Sequence, residues 1–175
     1  MSLIEKLAIL ALIALPSFPH PAWAAKNDAK DVAAVREVVE KFRTSIIRKD
    51  KATFVSLFYS DKPEHVTWQF VVDDPRLTRF QKTKPEARKA RRIPESNYLT
   101  FIDGITKPEA KPSEEEFRNI LVDTDGEIAS VNFDYSYLAG GKETNWGREM
   151  WHLVRTEAGW KIISVIFSVR DPIAQ

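Results

Sequence analysis

The sequence predicts an α+β fold in which helices near the N-terminus are covered by an antiparallel sheet. Three observations carry this. Residues 31–48 repeat apolar side chains at helical spacing. Residues 117–170 read as four strands in series, broken only by short turns that each hold glycine. Within those strands one face is aromatic. Phe133, Tyr135 and Tyr137 alternate with Asn132, Asp134 and Ser136, and Glu149, Trp151 and Leu153 alternate with Arg148, Met150 and His152. A meander so aromatic on one side must bury that side against helices, a ligand or both.

In chain order, the first segment belongs to targeting rather than to the fold. Leu7 to Leu15 is an unbroken apolar run, Pro16 and Pro21 end it, and Ala22-Trp23-Ala24 presents small residues before Ala25. This is the layout of a secretory signal peptide over residues 1–24. The run is about half of the ~20 residues that a membrane span needs. The expected mature protein is one domain over 25–175, periplasmic or secreted, with no transmembrane anchor after cleavage. The chain has no cysteine, so neither disulfides nor a lipid-bearing thiol is available, and the domain must rely on its core.

Asp31 to Arg48 reads as the first helix. Val32, Val35, Val38, Val39, Phe42 and Ile46 form its apolar stripe, and Asp31 is its expected N-cap. Asp50 caps a second, short helix that Asp61-Lys62-Pro63 ends. Val66 to Val72 alternates as a strand, with Val66, Trp68, Phe70 and Val72 on one face and Asp73-Asp74-Pro75 closing it. Residues 76–95 are basic and proline-bearing and read as a loop that holds at most a short strand or helical turn. Tyr98, Phe101, Ile102 and Ile105 recur at helical spacing behind Ser96, a candidate cap. Residues 106–116, with prolines and a glutamate run, read as a solvated loop. The strands of the meander are then 117–123, 128–139, 145–155 and 160–169, turned at Asp125-Gly126, Gly140-Gly141 and Ala158-Gly159.

Composition excludes some partners. The net charge is +1, so no global field draws the chain to nucleic acid or membrane. Residues 76–92 carry eight cations against Glu86 alone. Only Phe80 interrupts them, so nucleic acid is not an expected partner. The stretch reads as a solvated segment or as a contact for an anionic group.

Two helices, a strand, a further helix and a long meander resemble the nuclear transport factor two-like superfamily. That group includes ketosteroid isomerases, scytalone dehydratases and polyketide cyclase-like proteins. The residues that carry the likeness are the helix at 31–48 and the closing block from Trp151 to Ile162, including Ala158-Gly159-Trp160-Lys161. The resemblance implies a cone: a curved antiparallel sheet wrapped around the N-terminal helices, with a pocket inside. It does not by itself choose a function, because folds of this kind host many.

In such a cone Trp68, Phe133, Tyr135, Tyr137, Trp151 and Phe167 fall on or near the pocket wall, with Tyr98 and Phe101 on a covering helix. The expected ligand is small and apolar or aromatic. Glu149 shares the face of Trp151, and a carboxyl buried there would be suited to proton transfer. Otherwise it lies at the rim beside Arg148 or Lys142. By analogy with ketosteroid isomerases, Glu149 or Asp103 would be the base and Tyr135 or Tyr137 the donor to an enolate. His65 with Asp73 or Asp74 is the alternative, dehydratase-like pair. No cofactor is implied, and the residue types give no metal-binding motif. Three functions stay open: a binding protein, an isomerase or dehydratase, and an assembly module. The last would dimerise through the outer face of the sheet, around Trp146 and Met150.

Overall fold

A computed structural model describes residues 26–172. The expected signal segment lies outside the described residues. Helix α1 is Ala29–Arg48 and α2 is Lys51–Ser56. Asp28 caps α1, not Asp31, because its carboxylate accepts the Lys30 amide at 2.9 Å. Asp31 stands in the first turn and pairs with Arg155 at 2.9 Å, tying the helix to the sheet. Asp50 caps α2 by accepting the Thr53 amide at 3.0 Å.

Strand β1 is Thr67–Val72 and is followed directly by helix α3, Asp74–Gln81. Sequence reading makes this stretch a loop. Asp73 instead accepts the Arg76 amide at 3.0 Å and Pro75 sits in the first turn, so the residues that end the strand also start a helix. Helix α4, Tyr98–Thr106, starts one residue later than Ser96 would set it. Asn97 accepts the Leu99 and Thr100 amides, and Thr100 Oγ1 accepts the Asn97 amide at 3.1 Å, a reciprocal capping box.

Strands β2 (Ser113–Thr124), β3 (Ile128–Ala139), β4 (Lys142–Thr156) and β5 (Gly159–Val169) form the antiparallel meander. The sheet order is β1-β5-β4-β3-β2, and β1 joins β5 in parallel, so the sheet is mixed at that edge. Its register shifts between Arg118 and Leu121, Tyr137 and Leu138, and His152 and Leu153. Such bulges bend strands, and the sheet curves round the helices without closing. Residues 113–116, expected as loop, are the first part of β2, with Glu115 opposite Tyr137.

The core fills the wide end of this curve. The α1 stripe of Val35, Val38, Val39, Phe42 and Ile46 is buried against the inner sheet face. The Phe42 ring lies 4.8 Å from Phe54 and 4.7 Å from Trp151. Phe133 stands 5.0 Å from Trp151 at a steep angle, and Phe117 is 4.3 Å from Phe133. These offset and edge-on contacts add to the burial of the rings themselves.

Gly147 marks the tightest approach in the sheet. A Cβ there would stand 1.9 Å from the Ser168 carbonyl oxygen, a backbone atom that cannot turn aside. That oxygen also lies 3.0 Å from the Tyr135 hydroxyl. Gly147→Ala is therefore expected to lower stability by about 3 kcal/mol or more, at the upper end of overpacking costs. Urea unfolding checks this. A loss under about 0.5 kcal/mol, normal for a surface change, would show that β4 and β5 separate freely here.

Candidate functional site

Beyond the packed core the sheet, α3 and α4 enclose a cavity of about 580 Å³. Alternation along each strand decides what faces it. β1 turns in Trp68, Phe70 and Val72, while β5 turns in Phe167 and Val169. Phe101 descends from α4, and Arg76 and Phe80 reach the cavity from α3. The rings make a continuous wall: Trp68 stands 5.5 Å from both Phe101 and Phe167, and Phe101 is 6.2 Å from Tyr137.

Two carboxyls face this apolar wall. Glu149, on β4 between Gly147 and Trp151, is 4% exposed, and Glu115, on β2, is equally buried. Burial pushes Glu149 up to about 7, although the Trp151 indole N–H, donating to its Oε2 at 2.6 Å, partly favours the anion. Burial also holds the Glu115 carboxyl well above the usual range, and the neighbouring Glu149 charge raises it further. Glu115 Oε2 has no hydrogen-bond partner among the described residues. Burial thus pushes both carboxyls toward their neutral forms, and each raises the cost of ionising the other. Such a pair is costly in a folded core, and perturbed carboxyls facing a cavity mark a candidate site.

Tyr135 and Tyr137 also line the cavity. The Tyr135 hydroxyl lies 3.0 Å from both Asn145 Oδ1 and the Ser168 carbonyl, and Tyr137 donates to Ser113 Oγ at 2.9 Å. Both protons are thus committed to the wall. Desolvation, with the nearby carboxylates, raises both phenols above their ordinary value. Glu115, pushed by burial toward its protonated form and unpaired at Oε2 among the described residues, faces the same space.

The other residues singled out in the sequence lie elsewhere. Asp103 is on the exposed side of α4, paired with Lys51 at 2.5 Å. Tyr98 is buried against Phe58, with ring centroids 4.0 Å apart, and its hydroxyl donates to the Ser60 carbonyl. Phe133 and Trp151 are core residues, and Trp151 reaches the site through its bond to Glu149. His65 contacts Ser60 at 3.1 Å, while Asp73 caps α3 and Asp74 pairs with Lys89, so no histidine–aspartate pair forms from them. His152 is on the outer sheet face. Of the basic stretch, Arg76 and Arg79 bind Asp171 and Lys89 binds Asp74. Among the described residues no three potential metal-ligating side chains come together. A second concavity, about 730 Å³, lies around Ile128, Ser130 and His152, but it holds no buried ionisable pair.

Glu115 is the site residue that the sequence hides. Its signal is the alternation of Ser113, Glu115 and Phe117, which extends the inward face of β2 two steps back into the acidic run.

No protein-family model matches the chain, and no curated protein matches it. Solved structures do. An NTF2-like protein of unknown function from Pseudomonas putida is 11% identical, with 85% of this chain and 99% of that one covered and a TM-score of 0.58. An NTF2-like protein with a cystatin-like fold from Novosphingobium aromaticivorans is 14% identical over 83% of this chain and 86% of that one, TM-score 0.55. A proposed dehydratase of the NTF2-like family from Streptomyces avermitilis is 16% identical over 83% and 99%, TM-score 0.53. At these identities the likeness is one of fold, and the fold is nuclear transport factor two-like, as the sequence resemblance implies.

Proposed function

We propose that this protein is an exported acid–base enzyme that moves a proton on a small, flat, apolar carbonyl compound, as an isomerase or dehydratase does, without a cofactor. The observation that carries the reading is the buried Glu115–Glu149 pair facing an aromatic-walled cavity. Ionised Glu149 takes a proton from the carbon next to the carbonyl, and the C–H electron pair becomes the enolate C=C. The carbonyl oxygen gains the negative charge and accepts a hydrogen bond from neutral Glu115. Glu149 then returns the proton to another carbon, or to a leaving hydroxyl as water. The aromatic wall holds the flat body of the substrate and keeps water from the enolate.

The test needs no knowledge of the natural substrate. 2-Tetralone, a flat aromatic ketone with acidic α-hydrogens, is incubated in D₂O and its α-CH₂ signal followed by proton NMR. Exchange is expected to exceed that in buffer, and its excess rate to rise through about pH 7 as Glu149 ionises. Exchange no faster than buffer removes the reading. The apolar walls also support a plain binding protein for the same class of molecule, which quenching of tryptophan fluorescence by 2-tetralone without exchange would select. We further propose a homodimer through the outer sheet face, where Leu121, Ile128, Met150 and Ile166 are exposed. Trp146 contributes little free surface to that contact, since its N–H donates to the Asp171 carbonyl and Arg170 covers its ring at 5.1 Å.

A further inference from the structure

Arg76 is a cation built into the wall of an otherwise apolar cavity. It comes from the first turn of α3, and its guanidinium stands 5.4 Å from the centre of the Phe80 ring. Its Nη1 donates to Asp171 Oδ1 at 3.0 Å. Its Nε is buried, and among the described residues neither Nε nor Nη2 has a hydrogen-bond partner. Nε and Nη2 form the side-on edge of a guanidinium, the edge that grips a carboxylate with two parallel bonds. Asp171 therefore fixes the group from one end and leaves the forked edge open.

The charges around it leave room for an anion. Asp171 is shared between Arg76 and Arg79, Asp73 is spent on the cap of α3, and Arg170 adds a third cation near Tyr135. Of the carboxyls that line the cavity, burial pushes Glu115 toward its neutral form, and Glu149 is held up to about 7. Glu95 stands exposed at the rim and pairs with no cation among the described residues. A buried donor without an acceptor is destabilising unless something bound there satisfies it. Tyr135 feels both the carboxyl pair and Arg76, and all four groups line the same cavity.

We propose that the ligand of this cavity is a small aromatic or alicyclic carboxylate, whose anionic group is held by the Nε–Nη2 edge of Arg76 while its ring lies along Trp68, Phe101 and Phe167. The guanidinium must tilt slightly toward the cavity, since Nε itself is out of contact with solvent. This rests on the reading of the cavity as a ligand site, not on proton transfer. It turns the expected ligand from merely apolar into one with a charged end, and it sets the orientation of the reacting carbon.

The test compares 2-naphthoate with 2-naphthamide, which has the same shape and no charge, by calorimetric titration at pH 5.5. There the probe is ionised, as ordinary carboxylates are, while Glu149 is protonated. The wild-type protein is expected to bind naphthoate at least tenfold more tightly than naphthamide. Arg76→Gln should erase that ratio, chiefly by weakening naphthoate, and residual naphthamide binding shows that the variant is folded. Arg76→Lys, which keeps the charge but loses the forked edge, should retain only part of the preference. Equal affinities in the wild type, or a preference that survives Arg76→Gln, would overturn the proposal while leaving the cavity as a site. Binding of neither probe would overturn both.

Discussion

Between about pH 4.5 and pH 7 the protein is expected to lose about 3 kcal/mol of folding stability as the pH rises. The sign follows from Glu149. Its carboxyl titrates near 4.5 when exposed and about 7 when folded, so within that window the folded state holds a proton that the unfolded state has released. Stability is then greatest below the unfolded value and falls until the folded group ionises. Glu115 is raised in the same sense and adds to the decline. Asp171, held low first by its bond to Arg79, and Asp50, held low by its bonds to Thr53, act oppositely. Their contributions are present above the ordinary carboxylate range and are lost only in stronger acid. A stability maximum at about pH 4.5 is the expected result, read from urea unfolding at a series of pH values. Replacing both glutamates with glutamine should flatten the decline. A wild-type stability that climbs from pH 5 to pH 8 would mean that neither carboxyl is held neutral by burial.

Glu149→Gln is expected to slow α-hydrogen exchange of 2-tetralone by about 10²–10⁴-fold, the usual worth of a positioned general base. The substitution is mild for the fold. A glutamine amide oxygen still accepts the Trp151 N–H, which Glu149 Oε2 accepts at 2.6 Å, and no buried charge is left behind. Lost exchange in a folded protein therefore reads on chemistry. Glu149→Asp keeps a carboxyl but withdraws it from the cavity by one methylene, so it should fall between the two. Unchanged exchange in Glu149→Gln would assign the base to another group.

The fold is legible in the sequence where the signals are local. The α1 stripe and the turns at Asp125-Gly126, Gly140-Gly141 and Ala158-Gly159 place the helix and the meander near their observed bounds. Alternation puts Glu149 on the face of Trp151 but leaves open whether it is buried or at the rim, and the structure buries it. What is not legible depends on distant partners. Glu114-Glu115-Glu116 looks solvated, since three carboxylates oppose burial. Pairing of β2 with β3 overrides this and turns only the middle one inward, opposite Tyr137. Arg76 disappears into a basic run because the carboxylate that orients it, Asp171, stands 95 residues away. Tyr98 and Phe101 share one helix and one pattern. Only the docking of α2 decides that Tyr98 stacks on Phe58 while Phe101 reaches the cavity.

The buried carboxyl pair is the claim on which the chemistry rests, and carbon-13 NMR of the glutamate side-chain carboxyls observes it directly. With Glu115→Gln and Glu149→Gln used to assign the signals, one carboxyl is predicted to titrate at about pH 7 and the other to remain protonated well above the ordinary range. Two glutamates that both titrate between about pH 4 and 5, as exposed ones do, would contradict it.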